Sequence, residues 1–123
     1  MTVRVLVADD DPASAELVTY FLESRGYSVV TAPDGNQALE MGASGEFQLV
    51  ILDVHMPQYD GVEVLELLRK RHLLHPIKII ALTGDLSDSV RHALDAGHID
   101  AFLSKPVDLD LLGEEVDRIT RSA

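Results

Sequence analysis

Residues 49–61 read LVILDVHMPQYDG, and the fold follows from how that stretch is interpreted. Leu49 to Leu52 form the interior of a strand, and the run FQLVILD, nearly unbroken in apolar residues, implies burial on both faces, as in a central parallel strand. The run ends on a carboxylate, Asp53, with a proline and a glycine close behind. Hydrophobic burial on this strand therefore carries one acid to the edge of a sheet.

Working outward, short Val- and Ile-rich runs alternate with amphipathic segments of helical length, the signal of βαβ units and a parallel sheet. VRVLVA (residues 3–8) is the first strand. PASAELVTYFLESRG follows as a helix: Pro12 suits its first turn, Leu17, Val18, Phe21 and Leu22 make an apolar face, and Gly26 ends it. The strand YSVVTA leads, after PDG, to a second helix near Asp34 to Ala43 with Ala38, Leu39 and Met41 as its apolar side. Beyond Asp53, YDGVEVLELLRKR forms a third helix with Val62, Leu65 and Leu68 at helical spacing and a basic last turn that suits the macrodipole. IKIIALT, from Ile77 to Thr83, is the fourth strand. LSDSVRHALDAG is the fourth helix, with Ser87 or Asp88 as N-cap and Gly97 as its stop. AFLSKP is a brief fifth strand, and VDLDLLGEEVDRI a last helix weakened by Gly113. Five strands and five helices alternate in one α/β domain over residues 1–123, with no repeat or linker.

The composition narrows the function. Ten basic against 21 acidic residues give a net charge of −11, which argues against direct binding to nucleic acid or to an anionic membrane. There is no cysteine, hence no disulfide, thiolate nucleophile or Cys-based zinc site. No apolar run approaches about 18 residues and the N-terminus lacks a signal-peptide pattern, so the expected location is the cytoplasm.

Right-handed crossovers put the C-terminal ends of parallel strands on one side of the sheet, where open α/β folds bind their ligands. Asp9 and Asp10 after the first strand, Asp53 after the third, Thr83 after the fourth and Lys105 after the fifth should converge there. Three carboxylates repel unless a cation joins them, and oxygen-only ligation suits Mg²⁺ (or Mn²⁺). A carboxylate beside such an ion can attack phosphorus, while lysine and hydroxyl groups stabilise the remaining oxygens.

VLVADDDP, LVILDVHMPQYDG, IIALTG and AFLSKP together resemble the receiver domain of two-component response regulators, over nearly the whole chain. The intervals fit: 30 positions from Asp53 to Thr83, 19 from Thr83 to Phe102 and 3 from Phe102 to Lys105. The resemblance implies a flavodoxin-like doubly wound (βα)5 fold, with strand order 2-1-3-4-5 and helices on both faces; that order is a general one for such folds. It implies that Asp53 is the phosphoacceptor, charged by a sensor histidine kinase or a histidine phosphotransfer protein. Asp10 would ligate Mg²⁺ directly, Asp9 through water, and His55 through its backbone carbonyl. Lys105 would contact a phosphoryl oxygen. Thr83 would bond another on phosphorylation and Phe102 would rotate into the space it leaves, changing the face made by the fourth helix, fifth strand and fifth helix. His55 and Asp85 would flank the site and tune the lifetime of the phosphoryl group, and the Lys105–Pro106 bond is a candidate cis peptide. An effector domain or target protein, and a phosphorylation-dependent homodimer, are the further partners implied. The domain would be no enzyme toward external substrates, only toward its own acceptor.

Bland roles compete with these. Asp11 is better read as a solvated residue or helix cap than as a ligand. His72 and His75 suit the end of the third helix, and His92 and His98 have no carboxylate cluster at metal spacing, so no histidine is given a catalytic role. AGHIDAF has four residues between Gly97 and Phe102 where receivers usually have three, which implies an early stop or an irregular last turn in the fourth helix. Two other functions are open: a binding module that no longer takes phosphate, and a haloacid-dehalogenase-like phosphohydrolase. The second needs an acid where this chain has His55.

Overall fold

The computed structural model describes residues 2–56, 61–71, 77–84, 87–96 and 98–121, with Arg71 described in its backbone only. Expectations placed on residues 57–60, His72, His75, Asp85 and Gly97 lie outside the described residues.

Ten elements alternate along the chain: β1 (Arg4–Ala8), α1 (Pro12–Ser24), β2 (Ser28–Ala32), α2 (Gly35–Gly42), β3 (Leu49–Asp53), α3 (Gly61–Arg71), β4 (Lys78–Thr83), α4 (Asp88–Ala96), β5 (Ala101–Ser104) and α5 (Leu109–Arg121). The strands form one parallel sheet in the order β2-β1-β3-β4-β5. β3 sits at its centre, and every one of its five residues is buried. Because strand side chains alternate between faces, its residues feed two separate cores. Val50 and Leu52 join Leu6, Ala8, Ile79 and Ala81 under α2, α3 and α4. Leu49 and Ile51 join Val5, Val7, Ile80 and Leu82 under α1 and α5.

The helices begin where side chains satisfy their orphan amides. The Asp11 carboxylate accepts the Ala13 N–H at 3.1 Å, with Pro12 next in line, so the third aspartate of the triplet caps α1. Asp34 likewise takes the Gln37 N–H at 2.8 Å. Ser87 caps α4, its carbonyl accepting from Arg91 N at 3.1 Å and its hydroxyl from Val90 N at 3.4 Å. Gly26, with φ at +95°, adopts the left-handed conformation that ends α1.

The structure departs from the sequence reading in a few places. Leu17 is 52% exposed, and the buried stripe of α1 is Ala15, Val18 and Leu22, with Phe21 half-buried. Leu17 lies one position before that stripe and turns outward. On α3, Val64 joins Leu65 and Leu68 in the core while Val62 is half-buried. Gly113 is buried in the seam between α5 and α1, where a Cβ would come within 3.0 Å of the Arg25 guanidinium carbon and 3.1 Å of the Phe21 ring. Glycine there weakens the helix by propensity but permits the two helices to approach. In the same seam Asp117 accepts from Arg25 and from the Tyr27 hydroxyl, and these bonds, the tyrosine's first, hold its carboxyl below the usual carboxylate range.

Helix α4 ends at Ala96, ahead of the stretch that carries the extra residue. His98 takes φ +56°, uncommon for a residue with a Cβ, and its N–H bonds the Asp95 carbonyl at 3.0 Å. Arg69 of α3 holds this turn, donating to the carbonyls of Ile77 at 2.6 Å and His98 at 2.7 Å. Among the described residues, no helix is long and apolar enough to cross a membrane.

Candidate functional site

Among the described residues, three polar or charged side chains are buried among the apolar ones, Asp9, Asp53 and Thr83, and all three stand at or just beyond the C-terminal ends of strands. Such burial calls for partners. Asp53 is 2% exposed; its Oδ2 lies 2.9 Å from the Lys105 ammonium and its Oδ1 accepts the His55 N–H at 3.1 Å. The Asp9 carboxylate accepts the Asp11 N–H at 2.9 Å, while its own N–H extends the ladder to the Ala32 carbonyl at 3.1 Å. Asp11 thus serves the cluster through its amide and α1 through its side chain.

The sheet delivers Lys105. Its N–H donates to the Thr83 carbonyl at 2.9 Å, one step past the Thr83–Ser104 pair, and the Lys105–Pro106 bond that follows is cis. The Thr83 hydroxyl-bearing side chain is fully buried at the end of β4, beside Asp53's strand. Phe102 stands apart from the acids. It is half-buried on the α4 side of the sheet, with the Arg91 guanidinium 5.5 Å from its ring centroid. His55 is exposed, and so is Pro106.

Carboxylate oxygens of Asp9, Asp10 and Asp53 lie within 4.8 Å of one another. Two oxygens on opposite sides of a Mg²⁺ are about 4.2 Å apart, twice the usual Mg–O distance of about 2.1 Å, so this donor set suits a small hard cation with waters filling the remaining positions. Electrostatics agree: three carboxylates face one ammonium. Burial pushes the Asp9 carboxyl above its ordinary range and the nearby Asp53 charge adds to the shift, while the Asp11 amide and then Lys105 oppose it. A divalent cation would relieve the same repulsion.

Gly61 has a role that its sequence signal did not reveal. Its N–H donates to the Val54 carbonyl at 2.7 Å, and a Cβ would fall 2.6 Å from the Val54 Cα and 2.7 Å from the Asp53 carbonyl oxygen. The start of α3 packs directly on the backbone that carries Asp53. The sequence contains the clue, a glycine in QYDG, but which backbone it meets depends on the packing of α3. Arg91 carries no such clue at all, since its contact with Phe102 depends on how α4 packs over β5.

Known proteins resemble the chain in sequence and fold. The chain is 43% identical over 112 residues to the response regulator MprA of Mycolicibacterium vanbaalenii, covering 91% of this chain and 48% of that protein. It is 37% identical over 106 residues to the alkaline phosphatase synthesis transcriptional regulatory protein PhoP of Bacillus subtilis, covering 86% of this chain and 43% of that one. The chain therefore spans about half the length of the curated relatives it matches. Among solved structures, the receiver domain of Francisella response regulator 1452 superposes with a TM-score of 0.89 at 30% identity, covering 99% of this chain and 100% of that one. The family model for the response regulator receiver domain matches residues 5–117, and the chain belongs to that family of phosphorelay signalling domains.

Proposed function

We propose that this domain accepts a phosphoryl group on Asp53 from a histidine kinase or histidine phosphotransfer protein and passes the signal on through α4, β5 and α5. The observation that carries the proposal is the placement of one buried carboxylate against the ammonium of Lys105, at 2.9 Å, within reach of two further acids. In the transfer, an Asp53 oxygen forms the new O–P bond as the N–P bond of the donor's phosphohistidine breaks; the imidazole leaves with the bonding pair and takes up a proton. Asp10 and Asp53 would hold Mg²⁺ directly, Asp9 through water, and His55 through its carbonyl. The ion supplies charge neutralisation at the phosphoryl oxygens. Lys105 orients and neutralises one of those oxygens, and Thr83 bonds another once the loop after β4 draws in. Phe102 then follows Thr83. His55 and Asp85 flank the acceptor and set how quickly water reaches the acyl phosphate.

One feature speaks against turnover of an external substrate. The position two residues past Asp53 holds His55 rather than the second acid that an aspartyl phosphohydrolase needs, and its side chain is exposed. Partners beyond the phosphodonor, an effector domain, a target protein or a second copy of the domain, belong to the same proposal, as does a site of action in the cytoplasm.

The test is intact mass after incubation with acetyl phosphate, with and without Mg²⁺, for the wild type and Asp53→Asn. One phosphoryl adduct is expected on the wild type with Mg²⁺ and none on Asp53→Asn. An adduct that survives the substitution would place the acceptor elsewhere, and a wild type that takes no phosphate even from a phosphohistidine donor would favour a phosphorylation-independent binding module.

A further inference from the structure

The contact between Arg91 and Phe102 carries a role that the site chemistry alone does not assign. Phe102 is paired with Ala81 across β4 and β5, and Thr83 follows Ala81 by two residues, so strand alternation puts Thr83 and Phe102 on the same side of the sheet. That side is covered by α4, whose only wholly buried residue is Leu94. Phe102 is half-buried: one side of the ring packs on the core while Arg91, an exposed residue of α4, places its guanidinium carbon 5.5 Å from the centroid. Among the described residues no carboxylate forms an ion pair with Arg91. Among the described residues, its charge-dependent contact is the ring face of Phe102. A guanidinium within about 6 Å of a ring centroid is attracted by the ring quadrupole, and it stacks on the plane as a lysine ammonium does not.

We infer that Arg91 is a positioning residue that holds Phe102 in its half-buried place and so sets how readily the domain switches. The inference rests on the reading of Phe102 as the residue that moves inward when Asp53 is phosphorylated. Moving the ring toward the space beside Thr83 separates it from the cation. The unphosphorylated arrangement is favoured by that contact and the phosphorylated one is not, which is the differential interaction a two-state switch requires. At an exposed site such a contact changes a population by about two- to fivefold.

The experiment follows the Phe102 ring by NMR in protein labelled with ¹³C-phenylalanine, which has only three such residues, Phe21, Phe47 and Phe102. Wild type, Arg91→Gln and Arg91→Lys are compared without additive and with Mg²⁺ and beryllofluoride as a phosphoryl mimic, and acetyl phosphate labelling rates are measured in parallel. In the wild type the mimic is expected to move the Phe102 resonance. Without it, Arg91→Gln should lie part of the way toward that position and label about two- to fivefold faster, with Arg91→Lys in between. Unmoved Phe21 and Phe47 resonances confirm an intact fold. If the mimic moves Phe102 in the wild type but Arg91→Gln matches the wild type in both resonance and labelling rate, the role of Arg91 is refuted while the switch stands. If the mimic leaves Phe102 in place, the reading of Phe102 as the moving residue fails and the inference falls with it.

Discussion

At the scale of single residues, the acid cluster sets the metal-free protein against itself. Asp9 is buried beside Asp53, and its carboxyl is held above the ordinary value of 3.8. The folded state thus keeps this proton to a higher pH than the unfolded chain does. Linkage then requires that Asp9 withdraw stability as pH climbs from the ordinary carboxylate range through its raised folded value. Replacing it by asparagine should raise the urea midpoint in chelator, by more at pH 7 than at pH 4. An equal gain at both pH values would show that the charge is not the cause. Mg²⁺ should stabilise the wild type and do so less for the variant. Gly61 makes the opposite kind of prediction, since a methyl there meets the backbone of Val54 and Asp53 at 2.6 and 2.7 Å. Gly61→Ala should cost about 1–3 kcal/mol by overpacking and slow labelling of Asp53, measured by denaturation and by mass. Full stability together with normal labelling would mean that the α3 start yields freely.

At the scale of elements, the ends of helices show what a sequence does and does not disclose. Strands β1, β3 and β4 were legible because each holds four consecutive apolar residues, and the site was legible because parallel strands deliver their last residues to one side. The outer face of α1 was not. Hydrophobicity placed Leu17 in the core, yet Ala15, Val18 and Leu22 are buried and Leu17 is 52% exposed. An apolar residue at the border of a helical stripe has no local signal for which way it turns. The Arg25, Tyr27 and Asp117 network was equally hidden, because its members come from opposite ends of the chain, 90 and 92 positions apart. The stretch after α4 lies between these cases: its extra residue was visible, but not that His98 would take φ +56°. A Cβ in that conformation costs about 1 kcal/mol, so His98→Gly should raise stability by roughly 0.5–1 kcal/mol in chemical denaturation. A loss instead would show that the imidazole makes up for the backbone strain.

At the scale of the molecule, the central sheet divides the interior into two cores that share β3. Leu65 lies in the first and Leu112 in the second, both fully buried. Leu→Ala at either position should cost about 2–5 kcal/mol, and each variant should still unfold in a single transition, because neither core survives without the strand between them. Two separated transitions by circular dichroism and calorimetry would break that picture. The same architecture leaves α4 attached unequally along its length. Leu94, its only buried side chain, sits near its C-terminal end, where Arg69 also grips the following turn through the His98 carbonyl. Its first residues, Asp88 and Ser89, are exposed. The helix is therefore held like a cantilever, most firmly at its C-terminal end, with Val90 resting on the core and the first two residues projecting beyond it. With an arm of about 9 Å from Leu94 to Asp88, a tilt of about 7° about the Leu94 end would move the tip by about 1 Å.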